Sequence, residues 1–266
     1  MPWTFAHPAA ALLFNRVAKT QCEFAALVIG TISPDIGYYL GSAGLNLRTH
    51  SLIGSLKLCL PMALALLATL LLLRHPLWLL LPTPHRQALS PLRNFRPQIG
   101  VKSALRICLW ILLGAWTHIA WDACTHRTGL LVQQVAILQS VWLFGWPGYQ
   151  LAQHFSSALG VLALGIAYFR WRRTKFSLCN MDDGLERWRW RLIFGSAATA
   201  MLLGLPHAVT LANAAPIALF WRVLMFQFAI RTTSAFAILI VLCATVLFWR
   251  IKTVPLRRPP GPKISI

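Results

Sequence analysis

The sequence predicts an all-α, polytopic integral membrane bundle of about five helical spans. Three observations carry that class. Of 266 residues, 57% are hydrophobic and 12% are charged. Several apolar runs reach the roughly 20 helical residues that a hydrocarbon layer requires. The basic residues fall mainly between those runs, the pattern of loops held on the cytoplasmic side of a membrane.

The formal net charge is +19. In a soluble chain that balance would point to nucleic acid. Here the basic residues lack the aromatic interleaving of a single-strand groove, so nucleic acid is excluded and membrane lipid is the expected partner. Six cysteines, Cys22, Cys59, Cys108, Cys124, Cys179 and Cys243, form no CxxC pair. They make neither a disulfide framework nor a thiolate metal site. The opening Met1–Pro8 has no basic n-region and no small-residue cleavage site, so the N-terminus is expected to be retained.

Each element follows in chain order. Residues 8–19 and 21–32 read as two helices too short to span, a surface helical hairpin ended by Ser33-Pro34-Asp35. Spans are expected at 52–73, 103–121, 152–169, 192–212 and 232–249. Residues 77–82 are short and proline-bounded, and 214–231, which carry Arg222 and Arg231, read as an interfacial helix leading into the fifth span. The organisation is then a membrane domain over 1–170, a two-span extension over 171–250 and a disordered, proline-rich tail over 251–266.

Orientation comes from counting lysine and arginine. Residues 74–106 hold six, 170–191 hold seven and the tail from Arg250 holds five, whereas 122–151 hold only Arg127. The first three segments and the C-terminus are therefore expected in the cytoplasm, with 122–151 facing outward. Asp182, Asp183 and Glu186 lie in the second basic segment, where solvated ion pairs are expected.

The chemistry-bearing residues gather at the opposite ends of the spans. His118, Asp122 and His126 follow one another at steps of four, a single stripe on a helix. Imidazole and carboxylate together suit a divalent metal of zinc's kind. Asp35 ends the hairpin, His50 opens the first span and His154 opens the third, all on the outer side, and His7 joins them if the hairpin folds back. The candidate ligands are thus His7, Asp35, His50, His118, Asp122, His126 and His154. His75 and His85 read as loop residues on the other side, and His207 is left unassigned.

The ordered motifs His7-Pro8-Ala9-Ala10, Ser33-Pro34-Asp35, His50-Ser51, His118-x-x-Trp121-Asp122-x-x-Thr125-His126 and Gln153-His154-x-Ser156-Ser157 resemble the DUF4184 family of bacterial membrane proteins, over residues 1–170. The ligand order more distantly resembles membrane-bound metal-dependent hydrolases, zinc-dependent phospholipase C and related zinc nucleases. It departs from them in having Gln150 four residues before His154, where an acid would stand, and in showing no visible signal-cleavage site to free a mature N-terminus as theirs is freed. The distant resemblance implies metal-assisted hydrolysis at the outer face of a bacterial inner membrane, with zinc generating hydroxide from water. Asp35 or Asp122 would bridge metals or take the water's proton, which makes these two the candidate catalytic residues. The aromatic segment 142–149 suits the headgroup level, where it reads as ordinary interface anchoring and is also compatible with a lipid phosphoester as substrate. The competing reading is a non-catalytic membrane protein whose His/Asp cluster is structural. A transporter fits less well, because no acid sits in mid-span.

Overall fold

A computed structural model describes residues 4–93, 100–174 and 184–253. Among these residues the only β pairing is an isolated bridge between Val141 and Pro147. Everything else is helix or connecting turn. An N-terminal 3-10 helix, Thr4–Phe14, precedes α1 (Gln21–Ile32) and the short α2 (Ala43–Thr49). Five long helices follow: α3 (Leu52–Leu80), α4 (Val101–Thr125), α5 (Gly148–Thr174), α6 (Glu186–Asn213) and α7 (Phe220–Thr253). All five are long and apolar enough to cross a membrane, and each contains one of the expected spans. The proline-rich tail lies outside the described residues.

Two segments differ from the sequence reading. Residues 220–231 form no separate interfacial helix, because α7 runs unbroken from Phe220 to Thr253 with Arg222 and Arg231 inside it. No proline or glycine interrupts those 34 residues, so nothing stops the helix. Similarly, Leu77–Leu80 continue α3 beyond Pro76, and the Trp78 indole N–H donates to the Arg86 carbonyl at 2.9 Å.

The chain divides into two compact units, Met1–Leu71 with Phe95–Lys175, and Leu72–Asn94 with Phe176–Ile266. In the first, the hairpin forms and docks along α4. The Thr20 hydroxyl accepts the Glu23 N–H at 3.1 Å, and the Glu23 carboxylate accepts the Lys19 N–H at 2.8 Å, which caps α1. Glu23 also lies 3.3 Å from the Arg106 Nε. At its other end, the Thr31 carbonyl meets the His118 ring. Helix α1 therefore runs parallel to α4 from Arg106 to His118.

Glycine permits this approach. A Cβ at Gly30 would strike the Ile111 backbone, and one at Gly114 would strike the backbone of Leu27 and Thr31. Around the seam Cys22, Ala26, Ile29, Ala63, Leu67 and Ile111 form the core. The 3-10 helix returns along the same flank, with Phe14 6.4 Å from Trp110 and Thr4 bonded to Asp35. A 3-10 helix rises ~2.0 Å per residue against ~1.5 Å for an α-helix, so these 11 residues cover about the reach of α1. Gly114→Val is expected to destabilise the protein by at least the ~1–3 kcal/mol typical of overpacking, since backbone cannot step aside as a side chain can. An unchanged thermal midpoint in detergent would contradict this seam.

In the second unit, α6 and α7 pair as a hairpin, with Gly204 against Thr232 and a core of Leu80, Ala244 and Leu247. Arg189 is fully buried, and its Nε donates to the Leu79 carbonyl at 2.7 Å. Glu186 does more than the solvated pairing expected of it. It accepts the Thr83 N–H at 2.8 Å and lies 3.6 Å from Arg189, tying the start of α6 to the turn after α3. Asp182 and Asp183 lie outside the described residues. His75 is inside α3 and not in a loop, and His207 is exposed on α6.

Candidate metal centre

Four elements of the first unit bring six of the seven expected ligands together. Asp35 closes a turn begun by Ser33-Pro34, where the Ser33 hydroxyl donates to the Gly30 carbonyl. The Thr4 hydroxyl donates to Asp35 Oδ2 at 2.6 Å, leaving Oδ1 facing the cluster. His50 follows α2, and the Thr49 hydroxyl ties α2 to the Asp35 turn by donating to the Pro34 carbonyl at 2.6 Å. His118 and Asp122 stand one turn apart on α4, and His126 caps it with its N–H on the Asp122 carbonyl. His7 comes from the 3-10 helix, its ring stacked 3.7 Å from that of His118.

The ring orientations are set from outside the cluster. His118 Nδ1 lies 2.7 Å from the Thr31 carbonyl, and His50 Nδ1 lies 2.7 Å from the Asn46 carbonyl. A carbonyl only accepts, so each Nδ1 carries the proton in the neutral ring, and each Nε2 presents a lone pair inward.

The inward atoms have metal-site spacing. His50 Nε2 is 3.4 Å from Asp35 Oδ1 and 3.2 Å from Asp122 Oδ2. His118 Nε2 is 3.7 Å from Asp35 Oδ1 and 3.3 Å from Asp122 Oδ2. Around a tetrahedral ion with bonds of ~2.0–2.2 Å, neighbouring ligand atoms stand about 3.3–3.6 Å apart, so each of these four distances is close to a ligand-to-ligand spacing. The second oxygen of Asp122 faces the other way, 3.3 Å from His126 Nδ1 and 3.7 Å from His7 Nε2.

Those of His50 apart, these contacts are close without being hydrogen bonds. His7 Nε2, His118 Nε2, His126 Nδ1 and Asp122 Oδ1 are buried and have no hydrogen-bond partner. An unpartnered buried polar atom costs roughly 1–3 kcal/mol, and a carboxylate oxygen with three ring nitrogens around it is a heavy penalty unless a shared cation satisfies them. Two sets, His7 with Asp35 and His118, and His50 with His118 and Asp122, have ligand atoms close enough to hold an ion. His118 belongs to both but has one nitrogen to give, so two ions would have to share the remaining ligands.

Charge leads to the same conclusion. Burial pulls the His50 imidazole down, but hydrogen bonds to Asp122 and Asp35 outweigh it and push it up to about 10. Burial pushes the Asp35 carboxyl up, yet the His50 and Thr4 hydrogen bonds hold it below the usual carboxylate range. The two carboxylates call for a cation between them, and a proton on His50 is the smallest that fits.

The centre is closed on one side only. The side chains of His118, Asp35 and His7 are at most 4% exposed, against 22% for His50 and 27% for His126. His154 is exposed on α5 with its ring 5.0 Å from Trp146, and it joins neither ligand set.

Fold and site together define a polytopic helical membrane protein with a buried His/Asp cluster that can hold a metal ion. The chain belongs to the DUF4184 family: the profile of that domain of unknown function matches residues 1–248. The match runs through α6 and most of α7, so the family region extends well past residue 170. No curated protein and no solved structure matched the chain.

Sequence reasoning did not find Thr4, Thr31, Asn46 and Thr49 as supports of the ligands. Thr31 and Asn46 act through backbone carbonyls, which leave no trace in residue identity. Thr4, three residues before His7, and Thr49, beside His50, could have been suspected as hydroxyl partners.

Proposed function

We propose that this chain is a membrane-embedded, metal-dependent hydrolase whose His/Asp centre holds zinc and acts on a phosphoester, a lipid phosphoester above all. The observation that carries this reading is the convergence of unpartnered buried nitrogen and oxygen atoms at ligand-to-ligand spacing. His50, His118 and Asp122 Oδ2, the second of those sets, would hold one ion with Asp35 Oδ1 beside both imidazoles, which would leave Asp122 Oδ1, His7 and His126 for a second with room for water. A bound zinc lowers the pKa of its water to ~7 and so supplies hydroxide at neutral pH.

The chain's own residues do the rest. Asp122 would offer one oxygen to each ion, Asp35 would orient and neutralise under the hold of Thr4, and either carboxylate could take the water's proton. Partial exposure of His50 and His126 supports a site open to substrate, where a purely structural metal would favour closed coordination. The charge asymmetry supports placing this end of the spans outside a bacterial inner membrane, with the C-terminus in the cytoplasm. The exposed Trp142, Leu143 and Trp146 support contact with lipid headgroups.

The test is metal analysis of purified protein, followed by hydrolysis of bis(p-nitrophenyl) phosphate before and after chelation and zinc return. Zinc-dependent turnover, absent in a His118→Ala/Asp122→Ala double variant, is expected. Stoichiometric zinc with no hydrolysis of this probe or of phospholipid would favour a structural metal.

A further inference from the structure

The segment joining α4 to α5 carries both exposed apolar side chains and a pocket lined in part by polar ones. Gly129 donates its N–H to the His126 carbonyl at 2.8 Å, and a Cβ there would strike the carbonyls of Asp122 and Ala123. The chain is thus turned tightly back on the end of α4, and Arg127 sits within that turn, next in sequence to the ligand His126. Arg127, Gln133 and Tyr149 line a cavity of about 380 Å³. Gln139 braces its wall, donating from Nε2 to the carbonyls of Val132 at 2.9 Å and Gln133 at 3.1 Å. On the same segment Leu130, Ile137, Val141, Trp142 and Leu143 are more than half exposed.

Arg127 is the only cation among residues 122–151, and no acid lies within that segment except Asp122. Its guanidinium has no ion pair, and the Gln133 amide and Tyr149 hydroxyl have no hydrogen-bond partner among the described residues. Three side chains with N–H or O–H groups to donate therefore line one pocket open to solvent, and Arg127 joins it to the metal centre through its sequence neighbour His126. Donors of this kind, with Arg providing a planar fork, match the oxygens of a phosphate group.

We infer that Arg127, with Gln133 and Tyr149, forms an anion subsite beside His126 that receives a phosphate group of the substrate. The inference rests on the metal-hydrolase reading for its purpose, but its residues lie outside the proposed ligand set. Arg127 here is a binding residue, and it takes no part in the proton or metal chemistry. The exposed apolar side chains of the segment support a lipid as the source of that phosphate, and free phosphate offers the same chemistry.

Zinc-loaded, desalted protein in a neutral detergent is titrated calorimetrically with inorganic phosphate and, in a second arm, with dihexanoyl phosphatidate. Arg127→Gln is expected to weaken both by tenfold or more, with zinc content and thermal midpoint unchanged. Arg127→Lys should recover part of the loss, because the charge returns without the fork. Tighter wild-type binding of phosphatidate than of phosphate identifies a lipid source, and equal binding identifies free phosphate; both support the subsite. Unchanged affinity in Arg127→Gln, or a zinc-loaded wild type that binds neither probe, overturns it. A wild type without zinc overturns the metal reading instead, and the Arg127 comparison on that same sample still decides the subsite.

Discussion

Asp122→Asn is expected to strip zinc from the protein, lowering affinity by at least ~100-fold. Loss of a residue that merely orients a ligand costs about 10–100-fold in metal affinity, and Asp122 is a ligand itself in this arrangement. Its Oδ2 lies 3.2 Å from His50 and 3.3 Å from His118, and its Oδ1 lies 3.3 Å from His126 and 3.7 Å from His7. No other side chain in the centre touches four histidines. Asparagine keeps the shape but removes the charge and one acceptor oxygen, so the loss reads the chemistry of the site and not its packing. Zinc measured by mass spectrometry on the purified variant, with a retained thermal transition, is the check. Full zinc occupancy would remove Asp122 from the ligand set. Thr4→Val gives the graded comparison: Asp35 keeps its charge but loses its 2.6 Å hydroxyl bond, so the effect should fall within the orienting range of about 10–100-fold.

The six converging residues were legible because their types are scarce and their positions follow helix geometry. Steps of four put His118, Asp122 and His126 on one stripe, and the structure keeps them there through the last turn of α4. Asp35 and His50 were legible as polar residues at the edges of apolar runs, which few forces other than function would place there. The depth of the hairpin was not legible. It depends on Gly30 and Gly114 meeting across two helices far apart in sequence, and each alone reads as an ordinary helical glycine. His154 shows the limit of placing residues by end-of-span topology. That argument selects a membrane face but not a direction around the helix, and the His154 ring lies against Trp146. The unbroken α7 has a similar cause: the arginines suggested an interface, but backbone propensity set the helix length.

His126→Ala is expected to separate the two halves of the centre. Asp122 divides the histidines, with Oδ2 toward His50 and His118, which Asp35 also approaches, and Oδ1 toward His7 and His126. The first set keeps all four members when His126 is removed, enough for a closed tetrahedral site. The second keeps only His7 and one carboxylate oxygen, too few to hold an ion tightly. Zinc should therefore fall from about two ions per chain to about one, with the remaining ion bound as tightly as before. Hydrolysis should drop by ~100-fold or more, because the open position belongs to the ion that is lost. His118→Ala should behave differently, since it opens the four-member set beneath the bridge and exposes the Thr31 carbonyl it engages. If wild-type protein holds a single zinc and His126→Ala leaves both zinc and turnover intact, the centre is mononuclear and His126 only neighbours it. If His126→Ala removes all metal, the two halves are not independent, and the assignment of the Asp122 oxygens to separate ions fails.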